Sequence, residues 1–274
     1  MTELVFLGSG GGRFMLTTQV MATGGFRINT ENFKIHVDPG AGALVRSIQH
    51  RQNPQKLNCI IVTHAHPDHA TDTAPLIEAM CKGMTRERGT LIISESVISG
   101  KAGVGPVMGN YHYLKPKKSI TAKAGEIIEI EENAEKLVIE TVKCLHSDES
   151  TFGIKLKFSN MAIGYTSDTD YFGELQKLYA GCDILIMNAT RPDGERIKHH
   201  LCIDDAVKIL NTAKPKLAIL SHIGMKFWRA GISGEVEKLE NATGVKVIAA
   251  EDGMKIDIEE TLNKISQSSL NKFA

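Results

Sequence analysis

The six residues His64-Ala65-His66-Pro67-Asp68-His69 constrain the chain more than any other stretch. They place three imidazoles and a carboxylate in one short turn, directly after the apolar run Cys59-Ile60-Ile61-Val62. A continuous apolar run of that length reads as a buried strand. A strand that ends in a cluster of metal-type ligands suits a scaffold built to hold metal. Histidine supplies a borderline nitrogen ligand that is largely neutral at pH 7, and aspartate supplies a hard oxygen.

The rest of the chain reads as strands first and as alternating strands and helices later. Strands are predicted at Leu4–Leu7, Phe26–Ile28, Phe33–Val37, Leu57–Val62, Leu91–Ser94, Glu126–Ile130 and Lys136–Lys143. Phe152–Phe158 and Met161–Tyr165 read as a hairpin turned by Ser159-Asn160, and further strands are predicted at Ile184–Met187, Leu217–Ser221, Val245–Ala249 and Met254–Ile258. Helices are predicted at Ala43–His50, Thr73–Met80, Tyr171–Tyr179, Asp204–Leu210 and Val236–Ala242, with a frayed polar tail after them. The stretch from Gly100 to Lys118 has no clear period and reads as irregular. No linker, low-complexity tract or repeat divides the chain, so residues 1–274 are expected to form one domain of sheets with helices packed outside.

Lysine plus arginine balance aspartate plus glutamate at 32 each. That balance removes the global basic field expected of a protein whose main task is gripping nucleic acid. The five cysteines (Cys59, Cys81, Cys144, Cys182 and Cys202) are odd in number and form no CxxC pair. Most sit in apolar stretches, so they are expected to be reduced thiols in a cytoplasmic protein. No stretch approaches the roughly 18 apolar residues of a membrane span, and the N-terminus lacks signal-peptide character.

Seven of the ten histidines fall in three regions: His64, His66 and His69; His146; and His199, His200 and His222. His146 follows the run Val142–Leu145, Asp168 follows Met161–Tyr165, and His222 follows Leu217–Ser221. Ligand-type residues thus recur at strand ends, where a rigid scaffold holds functional groups.

These residues resemble the metallo-β-lactamase superfamily: Asp38 in Val-Asp-Pro-Gly, then His64-x-His66-x-Asp68-His69, then His146, Asp168 and His222, in that family's order. The resemblance implies an α/β fold, an αββα sandwich of two mixed sheets with helices outside, carrying two divalent metals at one edge. It implies that His64, His66 and His146 hold one metal, that Asp68, His69 and His222 hold the second, and that Asp168 bridges them. Asp38 would orient the His loop. Zinc is the first candidate, with manganese or iron also compatible with an imidazole–carboxylate site. A hydroxide shared by the ions would be the nucleophile, with Asp68 orienting it or taking its proton.

Two further stretches resemble the ribonuclease Z group. One is the opening Phe6-Leu7-Gly8-Ser9-Gly10-Gly11-Gly12, and the other is His200-Leu201-Cys202-Ile203-Asp204-Asp205-Ala206, followed by Leu220-Ser221-His222-Ile223. Cys202 stands where that group usually has threonine. The resemblance implies an extra catalytic histidine beside the metals, either His200 or its neighbour His199, with His200 the candidate by position. The tRNA-gripping arm often found in that group between the third-motif histidine and the bridging aspartate has no room here. Only Ser147 to Ser167 separate His146 from Asp168, and one hairpin uses them.

The expected activity is therefore a dimetal phosphodiesterase or nuclease acting on small or single-stranded phosphodiesters, similar to the smaller phosphodiesterases of the group, without a strong grip on folded tRNA. The alternative is a hydrolase of a carbonyl substrate such as a lactone, a thioester or a β-lactam. Within Gly100–Lys118, Tyr111, His112 and Lys115 are candidate substrate contacts, with aromatics to stack on a base and a lysine to meet phosphate. A homodimer is compatible with the resemblance.

Overall fold

The computed structural model describes residues 1–100, 103, 105–158 and 161–270. Two mixed sheets face each other. The first contains β1 (Glu3–Phe6), β2 (Phe26–Asn29), β3 (Lys34–Val37), β4 (Cys59–Val62), β5 (Thr90–Ser94) and β6 (Lys118–Ala122), with β15 (Lys255–Asp257) beside β1. The second contains β7 (Ile127–Glu132), β8 (Glu135–Lys143), β9 (Phe152–Phe158), β10 (Met161–Tyr165), β11 (Ile184–Arg191), β13 (Leu217–Ser221) and β14 (Lys246–Ala249). The short β12 (Leu201–Cys202) pairs only with the end of β11.

Each sheet is antiparallel on one side and parallel on the other. β15, β1, β2 and β3 pair antiparallel, and β3 to β6 pair parallel. In the second sheet β7 to β10 are antiparallel, and β10, β11, β13 and β14 are parallel. A parallel strand needs a crossover, and helices supply it on the outer faces.

The two-residue period of β4 shows why its sequence is apolar throughout. Cys59 and Ile61 point into the core between the sheets, with Phe6, Phe26, Ile28, Ile139, Phe152, Ile186 and Ile219. Ile60 and Val62 point outward, under Leu76, Ile77 and Met80 of the helix Thr73–Met80. On the far side Leu185 and Met187 of β11 likewise pack outward, against Ala206, Ile209 and Leu239 of the helices Ile203–Ala213 and Ile232–Thr243. Helix, sheet, sheet and helix are thus joined by three apolar layers. Each fully buried large side chain contributes roughly 1.5–3 kcal/mol relative to exposure.

Several sequence expectations are corrected. Only Leu175–Leu178 is helical within the predicted Tyr171–Tyr179, because Asp170 donates its N–H to the Leu145 carbonyl and Gly173 interrupts the run. The predicted frayed tail is the helix Ile258–Leu270, and Leu262 packs against the central core. The stretch read as irregular carries a short helix, Asn110–Tyr113, and Lys118 opens β6. The Arg13–Thr18 and Met225–Ala230 helices were not predicted. The Ser159-Asn160 turn lies outside the described residues, whereas the hairpin strands on either side of it pair as expected. All five cysteines are free. No helix among the described residues is long and apolar enough to cross a membrane.

Candidate metal centre

One edge of the sandwich collects the ends of strands from both sheets. Asp38 follows β3, and His64 follows β4 by one residue. His66 caps the short helix Pro67–Ala70, which carries Asp68 and His69. From the second sheet, His146 lies beyond β8, Asp168 beyond β10 and His222 directly after β13. His200 precedes β12.

The ligand atoms converge in overlapping groups. His64, His66 and His146 form one, and Asp68, His69 and His222 form another, each with ligand atoms within 4.8 Å of one another. Asp168 joins them. Its Oδ2 lies 3.9 Å from His64 Nε2, 4.0 Å from His146 Nε2, 3.4 Å from His69 Nε2 and 3.2 Å from His222 Nε2. Its Oδ1 accepts a hydrogen bond from Asn188 Nδ2 at 2.8 Å. One carboxylate oxygen therefore faces these four imidazoles, with His200 Nε2 a fifth at 3.3 Å, while the other oxygen is fixed.

The outer nitrogens determine the tautomers. His146 Nδ1 faces the His199 carbonyl at 3.0 Å, and a carbonyl only accepts, so Nδ1 carries the proton and Nε2 keeps its lone pair. His69 Nδ1 donates to Asp38 Oδ2 at 2.9 Å; burial would lower this imidazole, but the Asp168 and Asp68 carboxylates outweigh it and raise it well above its usual value, so a metal ion would have to displace its Nε2 proton. Thr63 has one hydroxyl hydrogen, which goes to Asp38 Oδ2 at 2.8 Å; His64 Nδ1, 3.1 Å from Thr63 Oγ1, must then donate to it. His222 Nδ1 is 2.8 Å from Thr190 Oγ1. The inner Nε2 atoms of His64 and His69 are buried without any hydrogen-bond partner among the described residues. Burial drives His64 well below its usual value and pushes His146 down to about 4, so both are neutral near pH 7. Burial alone would raise the Asp168 carboxyl, but His222 and His69 outweigh it and hold it well below the usual range.

Buried lone pairs aimed at a common point beside ionised carboxylates are costly unless a cation satisfies them. The donor set thus fits a dinuclear metal site: imidazoles oriented from behind, and a carboxylate oxygen between two groups of nitrogens.

Asp38, which the resemblance expects to orient the His loop, lies behind His69 and accepts four hydrogen bonds. Its carboxylate accepts the Thr63 N–H at 2.7 Å and hydroxyls from Thr63 and Tyr165 at 2.8 Å each, besides His69. Other supports escaped the sequence. Asp148 accepts the Ala65 N–H at 3.1 Å and holds the His loop from the opposite side. Asn188, Thr63, Tyr165 and Thr190 carry no motif and are brought in by strand register. Gly11 lies so close under His222 that an added Cβ would stand 2.1 Å from the ring, which explains a glycine at that point of the Gly8–Gly12 turn. Asp38, Ser167, His199 and His222 all take left-handed backbone angles, a local strain typical of functional sites.

His199 and His200 part ways. His200 Nε2 lies 3.3 Å from Asp168 Oδ2, and its ring stacks near His222 with centroids 5.8 Å apart. Burial disfavours its charged form, but the Asp168 carboxylate outweighs that and raises it. His199 instead acts through its backbone, accepting from His146 and donating its N–H to Asp170 at 2.7 Å. Cys202 takes the N-cap position of Ile203–Ala213, its Sγ 3.2 Å from Asp205. Tyr111, His112 and Lys115 make no hydrogen bond or ion pair with the cluster among the described residues. His112 pairs with Glu78 at 3.1 Å, and the Tyr111 ring is exposed.

The description "Beta-lactamase superfamily domain" belongs to the family model that matches residues 34–223. An uncharacterized protein of Methanocaldococcus jannaschii is 38% identical over 93% of this chain and 95% of its own length. A ribonuclease Z of Sulfolobus acidocaldarius is 27% identical over 57% of this chain and 49% of the enzyme. Among solved structures, the metallo-β-lactamase fold protein YhfI from Bacillus subtilis superposes with a TM-score of 0.72 at 18% identity, covering 93% of this chain and 98% of that one. A diphosphatase of the PhnP family gives a TM-score of 0.66 at 17% identity, covering 94% and 98%. The matched span contains the His loop, His146, Asp168 and His222, and the fold is the same sandwich: the chain belongs to the metallo-β-lactamase superfamily, as a hydrolase with a histidine–aspartate metal-site cluster.

Proposed function

We propose that the chain is a dimetal phosphodiesterase or nuclease acting on small or single-stranded phosphodiesters. The observation that carries this reading is His200. Its imidazole stands against Asp168 and His222 at the open side of the cluster, with its ligand nitrogen within 4.8 Å of the ligand atoms of His146 and Asp168, and it remains 22% exposed. A histidine in that place suits a phosphoryl transition state, whose charge spreads over several oxygens, more than a lactam or thioester carbonyl. The likeness to a ribonuclease Z and to a PhnP-family diphosphatase supports the same branch.

In this reading His64, His66 and His146 would hold one ion, Asp68, His69 and His222 would hold the other, and Asp168 would serve both. Zinc is the proposed metal because a nitrogen-rich set with carboxylates suits it, with manganese or iron as competitors. When bound, two divalent ions supply Lewis acidity and lower the pKa of water to about 7. The protein supplies the rest. Asp68 Oδ2 accepts the Gly12 N–H at 2.6 Å and stays ionised, ready to orient or deprotonate the nucleophile. His200 donates to the phosphoryl or leaving oxygen. Asp38, Asp148, Asn188 and Thr190 keep the ligands in place before substrate arrives.

The test is a metal count by elemental analysis, followed by turnover of bis-p-nitrophenyl phosphate, a lactone and a chromogenic cephalosporin by the same protein. Two metals per chain, dominant phosphodiester turnover and a roughly 10²-fold loss in His200→Ala with metal content intact are the expected results. Turnover confined to a carbonyl substrate, untouched by His200→Ala, would replace this reading with the lactonase or thioesterase alternative.

A further inference from the structure

Among the described residues Arg27 is the largest fully buried side chain, and no carboxylate pairs with it. Its guanidinium donates from Nε to His36 Nδ1 at 3.4 Å, from Nη1 to the Asn53 carbonyl at 3.3 Å and from Nη2 to Ser47 Oγ at 3.1 Å. A guanidinium has five N–H groups, so one hydrogen on each terminal nitrogen is left uncommitted. A buried cation is ordinarily paired, because its desolvation is otherwise uncompensated.

Arg27 lines a cavity of about 270 Å³ together with Lys34, Arg51, Lys56 and three amides, Asn29, Gln52 and Asn53. The volume far exceeds the roughly 30 Å³ of one water. Four cations thus meet one carboxylate, Glu3. Glu3 is engaged by amides rather than by the cations, accepting from Asn29 Nδ2 at 3.1 Å and Gln52 Nε2 at 3.4 Å. Lys34 gives its ammonium to the Thr30 carbonyl, and Arg51 and Lys56 form no ion pair among the described residues. The cavity sits at the hairpin end of β2 and β3, where Asn29 pairs with Lys34. Asp38 leaves the opposite end of β3, about 13 Å away at the rise of an extended strand. No residue is shared with the metal cluster.

We infer that this pocket binds a compact oxyanion, phosphate either free or carried by a small phosphorylated metabolite, at a site separate from the metal centre. Arg27 supplies a fixed positive charge beneath the pocket, and Lys34, Arg51 and Lys56 supply the groups that contact and neutralise the anion.

Arg27 also ties β2 to Ser47 and Asn53, so the exposed rim is the better handle for a test. Equilibrium dialysis of the metal-loaded protein against inorganic phosphate, and separately against ribose 5-phosphate, is compared with the Arg51→Glu/Lys56→Glu variant. The expected result is that the variant binds one equivalent fewer per chain, or binds that equivalent at least tenfold more weakly, with an unchanged circular dichroism spectrum and unchanged turnover of bis-p-nitrophenyl phosphate. The tighter of the two anions identifies the source of the phosphate. Equal binding by both proteins for both anions would overturn the inference. So would loss of anion binding and turnover together at an unchanged fold, because the pocket would then not be separate from the metal centre.

Discussion

Replacing Asp38 by asparagine measures how far the ligand set depends on the carboxylate behind His69. Oδ2 accepts from three donors, Thr63 Oγ1, Tyr165 OH and His69 Nδ1, and Oδ1 accepts the Thr63 N–H. An amide of the same shape keeps only one acceptor oxygen. It places that oxygen toward the three donors, so its NH2 group meets the Thr63 N–H, donor against donor. One buried bond is lost and a donor is left unsatisfied, at a cost of about 1–3 kcal/mol. For a chain of this size each 1 kcal/mol lowers the melting temperature by roughly 2–4 °C, so the metal-free protein should melt about 2–12 °C lower. The lost charge acts separately. His69 Nδ1 then donates to a neutral amide, its Nε2 becomes a poorer donor to metal, and affinity should fall about 10–100-fold. The assay is competition with a chromogenic chelator, beside calorimetry of the metal-free protein. The ion on His69, Asp68 and His222 should weaken more than the ion on His64, His66 and His146. If both affinities stay within about threefold of wild type while the melting temperature falls, Asp38 serves only the junction between β3 and β4, and the reasoning fails.

Three more perturbations test other parts. His36 is buried, and burial together with Arg27 depresses its imidazole to about 3 from the usual 6.5. A histidine depressed in the fold is neutral there but protonates on unfolding, so stability is full above about 6.5 and is lost progressively as pH falls toward 3. At pH 5.5, one unit below the unfolded value, the loss is about 1.4 kcal/mol. His36→Gln should flatten the acid limb of the melting curve, and an unchanged limb would exclude His36 as its source. In Gly11→Ala the new methyl must displace the His222 ring, and a shift of about 1 Å should lower kcat by as much as 10²-fold; crystallographic retention of the ring with normal turnover would contradict that. If Tyr111, His112 and Lys115 contact substrate, Ala replacements should raise KM for oligonucleotides far more than for bis-p-nitrophenyl phosphate, whereas equal effects on the two would remove them from the site.

The parts of this molecule that were legible in the sequence are those whose signal is local. β4 and β13 are buried on both faces, so Cys59–Val62 and Leu217–Leu220 are apolar at every position and stand out as strands. The His loop is legible for the same reason, since His64, His66, Asp68 and His69 share one turn. β6 was missed because it is an edge strand, Lys-Ser-Ile-Thr-Ala, with only Ala122 fully buried and no apolar run to mark it. The C-terminal helix did carry a signal: Ile258, Leu262 and Ile265 recur at helical spacing behind an acidic first turn, Glu259 and Glu260.

The groups that make the ligands competent are of the illegible kind. Asn188 meets Asp168 because β11 pairs parallel with β10, which sets Ile186 beside Tyr165 and carries the next two residues past the strand end. Asp148 reaches Ala65 across 83 residues of sequence. An asparagine in an apolar strand and an aspartate in a Ser-Asp-Glu-Ser loop are unremarkable until the register is known. The same holds for Arg27, which alternates with Phe26 and Ile28 along β2. A charged residue on the outer face of a strand reads as solvated until helix and hairpin close over it, and only then does its missing carboxylate become informative.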